Sequence, residues 1–238
     1  MRHRFAPTPT VVLRALVGLC ALAPASRARA QEATYLDRPL PPPSESLELR
    51  VATGYTQGFG MLAPGRGVAD AAGPGATIEL DADYRTNGLW SLGLGAGFQE
   101  FASALNTGAR GVAADAGVTL HAAPSVRGDP WIRVGAGYRL IWDVNPPATV
   151  STARQGLEIA KATLGYDVRV ARNVAFSPVV GADLNLFLWQ TQNRVVSPLS
   201  SGQIATFLFL GVQGRFDLGR ERPRHGLRSS LGAAELTR

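Results

Sequence analysis

Cysteine is almost missing from this chain: Cys20 is the only one in 238 residues. It lies inside the apolar N-terminal run, so once that run is removed no disulfide, thiolate nucleophile or cysteine metal site remains. Lipid attachment at Cys20 is disfavoured too, because Leu19 precedes it where a lipid-modified cysteine follows Gly, Ala or Ser. Lysine is as scarce, with Lys161 alone. A sheet face exposed to water normally draws on Lys, Thr and Glu, so this lack argues against an ordinary soluble β-protein. Histidine is limited to His3, His121 and His225, which leaves little for acid–base work or metal binding. Nor is there an apolar run of the roughly 20 residues that a membrane-spanning helix needs.

What is there begins with a charged leader. Five of the 24 basic residues, Arg2, Arg4, Arg14, Arg27 and Arg29, fall in the first 30 positions with no acid among them. The remainder carries 19 basic against 18 acidic residues, so the high pI belongs to the leader and nucleic-acid binding is not indicated. A basic segment 1–14, an apolar segment 15–24 and the small-residue site Ala28-Arg29-Ala30 read as a signal peptide over 1–30, cleaved before Gln31. Residues 31–46, with Pro39, Pro41, Pro42 and Pro43, form a stiff periplasmic lead-in. A barrel domain is expected over 47–218, followed by a basic tail over 219–238 with five arginines and two glutamates.

The strand signal is clearest over 76–98. Ala76, Ile78, Leu80, Ala82 and Tyr84 alternate with Thr77, Glu79, Asp81, Asp83 and Arg85, a period of two that only a strand converts into two opposite faces. Asn87-Gly88 predicts a type I′ turn, and Trp90, Leu92, Leu94, Ala96 and Phe98 continue the apolar face. The same alternation recurs from Leu47, from about Arg110, through Ile132 to Trp142, through Leu164 to Val170, from Val174 to Leu188, and from Ile204 to Leu218. Parity breaks over 158–163, which predicts a bulge. Another is expected near Pro178, because proline removes a ladder hydrogen bond. Phe207 and Phe209 fall on the polar side. Segments 57–75, 100–108, 145–155 and 190–202 read as long connections. Asn87-Gly88, the region of Pro124 and Arg172-Asn173 read as short ones.

Alternation alone does not say which face meets water. The polar faces are built of glycine with mixed charges, among them Gly93, Gly95, Gly97, Gly111, Gly117, Gly135 and Gly137, as a narrow interior requires. Long and short connections alternate along the chain. Aromatics gather at the strand ends, with Tyr84, Trp90, Trp131, Phe176 and Phe216 on the short-turn side and Tyr55, Phe59, Phe98, Trp142 and Trp189 on the loop side. The expected fold is therefore all-β, a closed antiparallel up-and-down transmembrane β-barrel of about eight strands. In this pattern the chain resembles the small bacterial outer-membrane barrels of the OmpA/OmpX type over 47–218. Phe216-Asp217-Leu218 resembles their aromatic end signal, although a tail follows it here. The resemblance implies the outer membrane as location, outer-membrane lipid and lipopolysaccharide and the outer-membrane assembly machinery as partners, and long loops facing outward.

The candidate lumen holds Glu48, Arg50, Glu79, Asp81, Asp83, Arg85, Asp115, Arg133, Arg139, Asp167, Arg169, Asp183 and Arg215, a charge network of both signs. Charges enclosed in a narrow barrel must pair, so pairing is expected over conduction. Asp81 and Asp83 share a face without a histidine or third ligand, which makes a poor metal site. Some small outer-membrane barrels resemble lipid A deacylases or acyltransferases that combine a histidine with a serine and an acid. Here His121 falls at the short-turn end and His225 in the tail, so no catalytic residue is assigned, and no cofactor or metal. The expected role is structural or extracellular binding by the loops, of a ligand the sequence does not identify. The alternatives are a narrow channel for small solutes or ions and a soluble periplasmic β-protein.

Overall fold

Eight long strands close on themselves. The computed structural model describes residues 44–63, 65–102, 108–144, 152–171 and 173–218. The signal peptide, nearly all of the proline-rich lead-in and the basic tail lie outside these residues. The strands are β1 (Ser46–Ala63), β3 (Gly75–Arg85), β4 (Trp90–Phe101), β5 (Gly108–His121), β6 (Gly128–Val144), β7 (Thr152–Ala171), β8 (Val174–Gln192) and β9 (Val195–Leu218). Each pairs antiparallel with the next, and β1 pairs with β9 from Leu47↔Leu218 to Gly60↔Ala205, so no barrel strand is left as an edge through the wall. A two-residue strand β2 (Arg66–Gly67) and a one-turn helix α1 (Val68–Ala71) lie between β1 and β3.

Closure satisfies the backbone, and strict alternation then gives each face one chemistry. Leu80, Leu94, Leu164, Val180, Leu210 and Val212 stand on the outer surface, each at least half exposed. Water would not tolerate an apolar band of that extent on a monomer, whereas a bilayer requires it. Aromatics fringe the band, with Tyr84, Trp90, Phe176 and Phe216 exposed at the short-turn end and Tyr55, Phe59, Phe98 and Trp189 at the loop end. Trp131 does not belong to the fringe. Its position has the parity of Arg133, and it is buried in the lumen.

Several local expectations change. Neither Asn87 nor Gly88 has positive φ, so the turn is not type I′. Instead the Asn87 side chain accepts hydrogen bonds from the backbone N–H groups of Leu89 (2.8 Å) and Trp90 (2.9 Å), an Asx-type closure of a four-residue connection. The bulge expected near this end of β8 is not at Pro178 itself, since Gly165↔Val179 and Val168↔Phe176 keep one register across it; the register shifts between Arg169 and Ala171, opposite Ala175 and Val174. The bulge expected within 158–163 is present, with Ile159 and Ala160 both turned outward and the register shifted on both neighbouring strands.

Segment 190–202 is not a loop. Strands β8 and β9 run on past the aromatic fringe and meet at Asn193-Arg194, whose φ values of 49° and 69° give the tight primed turn that hairpins favour. Within 57–75, β1 continues to Ala63, and the rest folds back toward the barrel mouth.

Candidate functional site

The lumen carries the unusual chemistry, and it is arranged in layers. All thirteen charged residues named from the sequence point inward and are buried. At the short-turn end, Glu48 accepts from Arg50 Nη2 (3.0 Å) and forms an ion pair with Arg85, whose Nε lies 2.6 Å away. Arg85 Nη2 lies 2.7 Å from His121 Nε2, and His121 Nδ1 lies 2.8 Å from Asp129 Oδ2. Arginine can only donate, so Nε2 accepts and Nδ1 carries the proton given to Asp129. The Arg50 guanidinium sits 5.1 Å from the Trp131 ring, a cation–π contact. Trp131 Nε1 in turn donates to Asp167 (2.7 Å), which also receives Ser177 Oγ and Arg215 Nη1. Arg169 donates to the Pro124 carbonyl (3.3 Å), tying the wall to the 122–127 turn.

In the middle layer Arg133 reaches Asp83 (2.5 Å), Asp115 (3.0 Å) and, at 3.7 Å, Asp81. Arg50 Nη1 holds the other Asp83 oxygen at 2.9 Å. Lys161 bridges Glu79 and Asp115, each at 3.1 Å. Glycine makes the space for this layer: a Cβ on Gly93 would fall within the Asp83 carboxylate. Toward the loop end, Arg139 donates to Gln99 (2.8 Å) and pairs with Glu158 (3.0 Å) and Asp183. Its guanidinium lies 4.5 Å from the Phe207 ring centroid.

Above Arg139 the lumen turns apolar. Leu62, Val68, Ala72, Phe101, Ala109, Ile141, Phe187, Ala205 and Phe207 form one buried cluster. Helix α1 contributes Val68 to it, and Ala72 follows directly. The backbone of Gly73 and Pro74 is latched to Ala102 by two hydrogen bonds of 2.9 Å, and Gly67 N–H is capped by Asp70 at 3.0 Å. Gly58 admits the helix, because a Cβ there would collide with Val68 Cγ1 and stand 2.9 Å from the Phe207 ring. The barrel is thus filled by ion pairs below and corked by its own β1–β3 connection above.

Sequence reasoning left out Glu158, Lys161, His121, Asp129 and Trp131. Glu158 and Lys161 both enter the lumen because the two bulge residues between them absorb the parity change. The predicted break at 158–163 was the available signal. The plug itself carries no periodic pattern, since Val-Ala-Asp-Ala is too short to show one.

Among the described residues, His121, Asp129 and Asp167 are close enough to share a metal ion. Their polar atoms are already engaged by Arg85, the Ala123 N–H, Trp131, Ser177 and Arg215, two of these partners being guanidinium cations. This arrangement suits an ion-pair network, not a metal site.

Neither a known protein family nor a curated protein matches the chain. Solved structures do. Neisserial surface protein A aligns over 71% of this chain and 96% of its own, at 11% identity with a TM-score of 0.52. The outer membrane protein OprG from Pseudomonas aeruginosa aligns over 74% and 98%, at 9% identity with a TM-score of 0.48. The first likeness is one of fold. The chain has the fold of the small outer-membrane β-barrels, the OmpA/OmpX class, and its lipid-facing band and closed wall fit it for the outer membrane.

Proposed function

We propose that this outer-membrane barrel is a sealed, non-enzymatic scaffold that holds its loop-end elements at the cell surface for binding. The observation that carries the reading is the double seal: a paired lumen of fixed charges beneath an apolar cork. Conduction needs continuous water, and the burial of the side chains in both layers supports a filled lumen. Charges tied to two or three partners each are costly to move, since freeing one leaves its partners buried and uncompensated. His121, the histidine within the described residues, is wholly buried at the short-turn end and committed to Asp129 and Arg85, so no histidine among the described residues is exposed to act as a base on lipid. Its orientation follows the usual barrel asymmetry, with short turns in the periplasm and the β8–β9 hairpin outside. Lipopolysaccharide and phospholipid then surround the band, and the outer-membrane assembly machinery inserts it.

The test is planar-bilayer recording of purified protein, wild type and Arg139→Ala. No sustained unit conductance is expected from either, with Arg139→Ala lowering the unfolding midpoint instead. Reproducible ion-selective steps that Arg139→Ala alters would reject the sealed scaffold in favour of a narrow channel.

A further inference from the structure

The cork fills a chamber whose walls belong to the barrel. Val68 comes from the β1–β3 connection and Leu62 from the end of β1, past its last pair with β9 at Gly60; both are fully buried, whereas Phe101, Ile141, Phe187 and Phe207 come from β4, β6, β8 and β9. The floor is polar. Arg139 lies beneath Phe207, and Glu158 gives it Oε2 while Oε1 has no hydrogen-bond partner. Directly across the β7–β8 pair from Glu158 stands Asn185, 1% exposed, with neither Oδ1 nor Nδ2 partnered. On its other side Asn185 faces Ala205, and two residues along its own strand comes Phe187, both members of the apolar cluster. An apolar chamber with a few convergent polar groups is the usual form of a small-molecule site. Buried polar atoms left without partners need an explanation of their own.

We infer that this chamber is a binding site for a small amphipathic molecule, which enters from the cell surface in exchange for the cork and places a carboxamide-type head on Asn185 and Glu158. The head follows from the count of open valences. Asn185 Oδ1 and Glu158 Oε1 each need a donor, and Asn185 Nδ2 needs an acceptor. A primary amide offers two donors and one acceptor, whereas a carboxylate would meet Glu158 with like charge and a plain alkane would meet nothing. The body is apolar because it replaces Val68 and Leu62 against four aromatic and aliphatic side chains. The cork is the self-contained competitor: its seat depends on the missing Cβ of Gly58 and on the backbone latch to Ala102. The inference deepens the sealed-scaffold reading and rests on it, since the floor stays closed while the cork moves.

The test uses the full chain carrying Cys20→Ser and Val68→Cys, folded in phospholipid nanodiscs and labelled with a membrane-impermeant maleimide. Position 68 belongs to the cork itself and is fully buried against the chamber wall, so basal labelling is slow. Decanamide is expected to raise the labelling rate about tenfold by shifting the cork outward, with decane and decanoate far weaker. Adding Asn185→Leu, or Glu158→Gln should Asn185→Leu fail to fold by heat-modifiable gel mobility, abolishes the preference for the amide. An unchanged rate with decanamide overturns the inference and leaves the polar pair to a trapped water. So does equal acceleration by all three probes, or acceleration that Asn185→Leu leaves intact, since either reports a disturbed bilayer. Bilayer conductance without decanamide would overturn the scaffold reading alone, and the two failures are told apart by which measurement moves.

Discussion

Gly93→Ala tests whether the lumen is as tightly filled as its ion pairs imply. The added methyl would occupy the position of the Asp83 carboxylate and stand 2.5 Å from the Ala82 carbonyl oxygen, so both side chain and backbone must shift. Asp83 has no freedom to yield, because Arg133 holds one oxygen at 2.5 Å and Arg50 the other at 2.9 Å. Breaking a buried pair costs about 3–5 kcal/mol. Here Arg133 keeps Asp115 and Arg50 keeps Glu48, which puts the loss near the lower end. Replacing a strand glycine by alanine returns about 0.5–1 kcal/mol, so the net destabilisation is about 2–3 kcal/mol. Gly97→Ala is the control on the same strand: its Cβ meets Glu79 Cγ at 3.4 Å, an ordinary contact. It should be neutral or slightly stabilising. Urea titration of the barrel folded into lipid vesicles, followed by tryptophan fluorescence, reads both. Adding Asp83→Ala to Gly93→Ala should cost less than the two changes summed, because the methyl then has room. Equal midpoints for Gly93→Ala and Gly97→Ala would refute the filled-lumen argument.

Leu80→Arg places a cation on the lipid face at the middle of β3 and should cost about 2–4 kcal/mol. Asp81→Ala removes only the most distant partner of Arg133 and should cost less in the same titration; the reverse order would mean the faces are inverted. Lipids brominated on their acyl chains should quench a variant that retains only Trp90 and spare one that retains only Trp131, since the first is 44% exposed on the wall and the second 4% exposed in the lumen. A protease site inserted at Asn193-Arg194 should be cut on whole cells and one at Asn87-Gly88 only after the envelope is permeabilised. Cutting at Asn87-Gly88 from outside would invert the topology.

The wall was legible because lipid on one side and packed charge on the other force every residue of a strand to declare its face. Leu80 and Asp81 could not be exchanged without exposing an aspartate to hydrocarbon. Legibility ended where that contrast ended. Beyond the aromatic fringe both faces of a strand meet polar surroundings, so Gln190-Thr191-Gln192 and Ser197-Pro198-Leu199-Ser200 show no alternation and read as loop, although the backbone continues as a hairpin. Asn87-Gly88 marked a connection correctly but not its geometry, because the Asn87 side chain offers the turn a second way to close. Trp131 was assigned to the fringe by its position near a strand end, when parity with Arg133 already placed it inside. The cork was invisible because four residues of helix gain their stability from the barrel they enter, not from their own pattern.

The bulge in β7 ties these parts together. Strict alternation upward from Asp167 and Thr163 would carry Lys161, Ile159 and Leu157 into the lumen and turn Glu158 toward lipid. Two aliphatic side chains would then stand among the ion pairs, and Arg139 would lose one of its two carboxylates. Turning Ile159 and Ala160 outward together resets the parity, so Leu157 and Ile159 join the band while Glu158 and Lys161 both face inward. One strand thereby serves two layers: Lys161 neutralises Glu79 and Asp115 in the middle, and Glu158 anchors Arg139 beneath the cork. An extra residue in a ladder costs a local pairing, and here it stands in the wall at the level where the charged filling gives way to the apolar chamber. Its placement is therefore explained by the lumen it supplies, and the same step sets Glu158, with its unpartnered Oε1, in register with Asn185.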